Sequence, residues 1–250
     1  EDVVGIFAQD GIWRLALFEK TGSIQIIDQP FSEFSGLYSY QNRLVAIASS
    51  SVISEGIVEI DLLDRSWEHT PASEVRLDST DISIGESFWF VGSNKDNVHA
   101  WYYPPLNREI LLPPLLVKSH SGPTGMAGCG LDLEVQFWTS RGWAVVDVNY
   151  GGSSGFGREY RDRLKGNWGV VDVLDCTKAA QSLVSSGKAN KDCLAIIGSS
   201  ASGFTALGCL VSNEIFNIAA CKYAVTDLIS MANSTHRFEE CYLDYLIGNI

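Results

Sequence analysis

The sequence lacks the cysteine and histidine spacings that hold metals. Its six cysteines (129, 176, 193, 209, 221 and 241) include no C-x-x-C, and its four histidines include no H-E-x-x-H. No metal site is expected, and no cofactor. Basic charge is scarce as well: 18 Lys and Arg against 30 Asp and Glu leave a net charge of −12. Binding phosphate backbones needs clustered Lys and Arg, so no nucleic-acid partner is expected. Long hydrophobic runs are missing. The longest candidate, Ile110 to Val117, is broken by Pro113 and Pro114 and falls well short of the roughly 20 residues of a membrane span. No membrane partner is expected. The chain does not begin with Met and no signal-like segment follows Glu1, which predicts a piece clipped from a longer protein.

What is present is material for a core. Hydrophobic residues make up 46% and charged residues only 19% of 250 positions, with seven Trp, nine Tyr and eleven Phe, the opposite of a disordered composition. That length fits one or two domains and is too large to need stapling, so the cysteines are expected as reduced, packed thiols.

The chain changes character near residue 80. Residues 1–80 hold 13 acidic and 5 basic residues, a net −8, which leaves −4 for the remainder. Ile12 to Phe18 and Val58 to Leu62 alternate with period two, Ile24 to Ile27 and Leu44 to Ala48 are similar, and Thr21-Gly22-Ser23 and Ser54-Glu55-Gly56 punctuate them. This predicts an all-β piece of short antiparallel hairpins. From about residue 114 strands and helices alternate. Strands are expected at Leu115 to Lys118, Trp143 to Val148, Cys193 to Ile197 and Asn217 to Val225. Helices are expected through Leu131, Val135 and Trp138 with Gly142 as cap, through Val173, Cys176, Ala180 and Leu183 up to Gly187, and over 201–212. Such alternation implies an α/β fold around a parallel-rich sheet, with sites at the carboxyl ends of its strands.

Gly198-Ser199-Ser200-Ala201-Ser202-Gly203 follows one of those strands and opens a helix. That is the context of a nucleophile elbow, where a tight strand-to-helix turn presents a serine hydroxyl at the top of the sheet. Small residues are required two before and two after the nucleophile, a need met by Gly198 and by Ser202, although Ser202 is not the Gly of G-x-S-x-G. An ordinary serine-rich turn is the competing reading. The Ala201 N–H, at the helix start, is the natural donor to a developing oxyanion.

Two further motifs follow two other strands: His120-Ser121-Gly122-Pro123-Thr124, and Asn149-Tyr150-Gly151-Gly152-Ser153-Ser154-Gly155-Phe156-Gly157. Together with Leu133 to Asn149, Arg158 to Cys176 and Asn97 to Pro105, they resemble the catalytic domain of the prolyl oligopeptidase family of serine peptidases, in its acylaminoacyl-peptidase-like and dipeptidyl-peptidase-like branch. The resemblance covers about residues 82–250; residues 1–75 resemble the family's β-propeller only in strand texture. It implies an α/β-hydrolase domain over 81–250 preceded by one to two propeller blades over 1–80. The implied protein is cytoplasmic and cleaves short peptides near the N-terminus through an acyl-enzyme, without a cofactor; whether it forms a homo-oligomer is left open.

Carried onto this chain, the resemblance makes Ser200 the nucleophile and the Ala201 N–H one oxyanion donor. Gly198, Ser202 and Gly203 form the elbow, and His120, Gly122 and Pro123 form a loop of the site. Phe156 stands at the position of a family tyrosine whose hydroxyl would be the second donor. Ser121 and Gly151 replace a Gly and an Arg of the family pattern. Phe156, Ser121 and Ser202 motivate one alternative, a silent homologue acting as a binding or interaction module; a second, an esterase on the same scaffold, shares the elbow but lacks the propeller-like leader. The family's Asp and His should fall beyond Ile250, although Ser200, Asp227 and His236 offer an in-chain set in the right order. Arg158, Arg161 and Lys165 are spaced for one helix face, read as solvated.

Overall fold

The computed structural model describes residues 2–212, 214–234 and 240–248. The chain falls into two compact units, Glu1–Ile84 with Gly128–Gln136, and Gly85–Ala127 with Phe137–Ile250.

The first unit is built from antiparallel strands. β1 (Val3–Gln9), β2 (Ile12–Phe18) and β3 (Ile24–Ile26) form a three-stranded sheet, and β4 (Glu33–Tyr40), β5 (Arg43–Ser49), β6 (Gly56–Asp61) and β7 (Trp67–Pro71) form a four-stranded meander. The β1–β2 hairpin turns on Asp10 and Gly11, whose φ values of 52° and 77° are both positive, as a two-residue type I′ turn demands. Alternation puts Leu44, Ala46 and Ala48 of β5 and Val58 and Ile60 of β6 inside, against Leu15, Phe31 and Phe34. Residues 128–136 join this unit through the half-buried Glu33, whose carboxylate accepts the Gly130 N–H at 3.1 Å. Burial raises the pKa of Glu33. The Gln136 side chain pairs with the Ser83 backbone in both directions, at 2.7 and 3.1 Å.

The second unit is a six-stranded sheet in the order β13-β12-β10-β11-β9-β8. The strands are β8 (Glu86–Val91), β9 (Asn97–Tyr103), β10 (Leu115–Ser119), β11 (Ala144–Asn149), β12 (Leu194–Ser199) and β13 (Ile218–Lys222). Among the described residues the α-helices are α1 (Leu133–Thr139), which spans the boundary of the units, then α2 (Arg158–Asp162), α3 (Val171–Ser185), α4 (Ala201–Ser212), α5 (Leu228–Ser234) and α6 (Glu240–Ile247). The sheet is parallel from β10 onward; β9 runs antiparallel to both β11 and β8. Strands β9 to β12 are buried on both faces and read as near-continuous apolar runs. Val117, Val146 and Ile196 meet Cys176, Leu183 and Cys209 of α3 and α4 in one core, where each large apolar side chain contributes about 1.5–3 kcal/mol.

Helix ends follow the glycines. After α1, Gly142 (φ 84°) lets its N–H reach the Thr139 carbonyl while the Trp143 N–H reaches Trp138. After α3, Gly187 (φ 72°) does the same toward Val184, with Lys188 reaching Leu183. Several expectations are corrected. α1 starts at Leu133, not Leu131, because the Asp132 carboxylate caps it through the Glu134 N–H at 2.8 Å while Leu131 bonds to the Ser50 carbonyl. α2 ends at Asp162, so Lys165 shares no helix face with Arg158 and Arg161. All six cysteines are free, but only 129, 176 and 209 are packed inside; 193, 221 and 241 are exposed. Among the described residues no helix is long and apolar enough to cross a membrane, and no three His, Cys, Asp or Glu cluster in a way that could hold a metal ion.

Candidate active site

β12 ends at Ser199 and α4 begins at Ala201, which leaves Ser200 alone in the turn. Its φ is +51°, a left-handed conformation that costs a non-glycine residue about 1–2 kcal/mol. The surroundings hold it there. The Ser200 N–H donates to the Lys222 carbonyl of β13 at 3.1 Å, and the Ser200 carbonyl accepts from Val225 at 3.1 Å and Phe204 at 3.3 Å. Gly198 and Gly203 are required by space. A side chain at Gly198 would stand on the Ser202 carbonyl and 2.8 Å from the Gly203 nitrogen, and one at Gly203 would stand 2.6 Å from Ala224 Cβ. Ser202 is buried, and its hydroxyl accepts the Ser199 N–H at 2.8 Å while donating to the Ser199 carbonyl at 2.9 Å. The residue that departs from the usual glycine thus braces the turn.

The loop after β10 reaches the same place. Ser121 Oγ donates to the Ser199 carbonyl at 3.2 Å, so this second departure also bonds to the elbow. Gly122 has φ +63°, and its carbonyl accepts the Gly125 N–H at 2.6 Å, closing a turn over Pro123 and Thr124. The glycine-rich loop after β11 holds that turn from one side: Tyr150 Oη donates to the Pro123 carbonyl at 2.8 Å and Ser154 Oγ to the Thr124 carbonyl at 2.6 Å. His120 lies between the two loops, its Nε2 at 2.6 Å from Ser153 Oγ and its ring stacked on Tyr150 at 4.5 Å. Burial lowers its pKa to about 4, so the imidazole is neutral at pH 7.

A cavity of about 200 Å³ opens at Ser200 and Ala201, with Gly122 and Pro123 beside them. Its remaining wall is mostly apolar: Trp168, Val225 and Met231, with Tyr242, Leu243 and Leu246 from α6. Among the described residues no histidine or carboxylate lines it. Phe156 does not line it either. Its ring packs among His99 (5.0 Å), Tyr160 (4.8 Å) and Trp89 (5.8 Å) beside β8 and β9. Asp227 is exposed and caps α5, accepting the Ser230 N–H at 2.9 Å; His236 lies outside the described residues. Of the other histidines, His99 is fully buried in the aromatic group, where desolvation lowers its pKa to about 4. Beneath the elbow helix, Asp172 receives the Thr205 hydroxyl at 2.5 Å and the Gly169 N–H at 2.6 Å, and burial raises its pKa to about 6.

The structure therefore brings together Ser200, Ala201, Gly198, Ser202, Gly203, Gly122 and Pro123, with His120 one residue from the elbow contact, and leaves Phe156 apart. Sequence reasoning missed the cavity wall. Trp168 lies in a stretch that resembles the family but carries no signal of its own there. For α6 a signal exists: Tyr242, Leu243 and Leu246 are spaced i, i+1, i+4, which marks one buried face of the helical tail.

A serine in a positive-φ strand-to-helix turn, at the N-terminus of a twelve-residue helix and on a parallel-rich sheet, places the second unit among the α/β-hydrolases. Residues 130–249 match the prolyl oligopeptidase family. The chain is 27% identical over 132 residues to the acylamino-acid-releasing enzyme of Arabidopsis thaliana, covering 52% of this chain and 17% of that protein. A puromycin-hydrolyzing peptidase from Mycobacterium tuberculosis superposes with TM-score 0.91 at 36% identity, covering 96% of this chain and 38% of that one. The Pyrococcus horikoshii acylaminoacyl peptidase superposes with TM-score 0.81 at 19% identity, covering 99% and 40%, and shares the fold. The chain spans about a sixth of the length of the curated plant relative and less than half of either solved chain.

Proposed function

We propose that this chain carries the nucleophile and oxyanion site of a serine peptidase that hydrolyses short peptides near the N-terminus. In this reading residues 1–80 are one to two blades of a β-propeller and residues 81–250 the first part of the hydrolase domain. The observation that carries the proposal is the strained φ of Ser200 in the wall of the cavity, since such strain persists only where the surroundings enforce it. Ser200 Oγ attacks the scissile carbonyl as a base takes its proton. The oxyanion then receives the Ala201 N–H and an N–H of the turn after β10, the loop that supplies the second donor in this fold. Collapse expels the amine with that proton, and water hydrolyses the acyl-enzyme. The cavity receives the acyl group's apolar side chain.

The base and its carboxylate partner are proposed to come from sequence outside these 250 residues, because none of the described cavity-lining residues supplies them and Asp227 is engaged as a helix cap. The isolated chain is accordingly inactive in this reading. Against the silent-homologue alternative, this reading is supported by Ser121 and Ser202, which both bond to the elbow, and by Phe156, which stands outside the cavity. The test is turnover of acyl-peptide and aminoacyl-anilide substrates by the full-length protein. Ser200→Ala is expected to lower kcat by at least about 10³-fold; turnover unaffected by that change overturns the proposal.

A further inference from the structure

Tyr242 and Thr124 lie 118 residues apart and meet at the site: Tyr242 Oη is 2.7 Å from Thr124 Oγ1 and accepts the Thr124 N–H at 3.3 Å. The phenol oxygen thus makes two contacts with one residue. We propose that Tyr242 and Thr124 form a positioning pair that holds the oxyanion-binding turn in register with the Ser200 elbow, an inference that rests on Ser200 being the nucleophile.

The geometry is that of a clamp. Thr124 is the third residue of the four-residue turn that starts at Gly122, and the Gly122–Gly125 bond of 2.6 Å ties its ends. A shift of Thr124 therefore moves the Gly122 backbone. The glycine-rich loop holds the carbonyls of Pro123 and Thr124, and Ser121 holds the elbow. Tyr242 takes the two groups of Thr124 that this loop leaves, its N–H and its hydroxyl. The helix that carries Tyr242 is itself anchored: Leu243 and Leu246 are buried, and the Tyr245 and Leu246 carbonyls accept the Gly166 and Trp168 N–H groups at 3.0 and 3.1 Å. The side chain that lines the cavity thus links its wall to the turn expected to bind the oxyanion.

A wall residue and a positioning residue differ kinetically. Tyr242→Phe keeps the apolar ring and removes the hydroxyl. In the full-length protein it is expected to lower kcat about 10- to 100-fold with KM within about threefold. Thr124→Val, which loses the hydroxyl partner, should do the same, Thr124→Ser should restore kcat to within about threefold, and the double variant should cost no more than either single one. If Tyr242→Phe fails to fold, the Thr124→Val and Thr124→Ser pair decides alone. A rise in KM with kcat retained, or additive losses in the double variant, overturns the clamp while leaving Ser200 as nucleophile. A wild type with no Ser200-dependent turnover overturns both readings together.

Discussion

Replacing Ser202 by the glycine usual at that elbow position should weaken the protein rather than improve it. The Ser202 hydroxyl takes the Ser199 N–H at 2.8 Å and returns its own proton to the Ser199 carbonyl at 2.9 Å, from a fully buried position. Removing it leaves the Ser199 N–H without that partner, a cost of about 1–3 kcal/mol for a buried donor. Ser199 is half-buried, which favours the lower part of that range. Glycine in the first turn of α4 adds roughly 0.5 kcal/mol in backbone entropy. The Ser199 carbonyl keeps Ser121, so its loss is partial. A total near 2 kcal/mol corresponds to a drop of about 1 M in the urea midpoint at an unchanged slope. Equilibrium urea unfolding followed by tryptophan fluorescence measures it. A Ser202→Gly variant with an unchanged or raised midpoint refutes the brace. So does one whose reaction at Ser200 speeds up, because the hydroxyl would then be an obstruction and not a support.

Gly198→Ala should abolish reaction at Ser200, with a loss of at least about 10²-fold, because its Cβ would meet Ser202 and Gly203 backbone; retained reactivity in a labelling assay contradicts the elbow geometry. Phe156→Tyr should leave turnover within about twofold of wild type, since that ring packs on His99, Tyr160 and Trp89, and a large gain would restore it as an oxyanion position. Asp172 has a pKa raised to about 6, so its contribution is present below the unfolded value near 3.8 and lost as pH rises through 6. Asp172→Asn, which can still accept from Gly169 and donate to Thr205, should therefore gain about 2–3 kcal/mol at pH 7 and nothing at pH 3.5, read from urea midpoints at the two values; equal midpoint shifts at both contradict it.

The elbow was legible because everything it needs is local. A strand, a Gly-x-Ser turn and a helix lie within about 20 residues, and Gly198 answers to backbone contacts inside that stretch. The alternation of β5 and β6 and the apolar runs of β10 to β12 were readable for the same reason. Other features depend on distant partners. That Leu131 belongs with the first unit follows from Ser50, and that Ser121 supports the elbow follows from Ser199. Tyr242 bonds to a residue 118 positions away, a distance across which periodicity carries no information. Phe156 is assigned by a family pattern rather than by its own surroundings, and its aromatic neighbours on β8 and β9 decide where it sits.

Whether Ser200 is a nucleophile is measured most directly by peptide mapping of the full-length protein by mass spectrometry after treatment with a fluorophosphonate. One adduct per chain is expected on the peptide containing Ser200, absent in Ser200→Ala and in Gly198→Ala. An unmodified Ser200, or an adduct on another residue that persists in Ser200→Ala, contradicts that role.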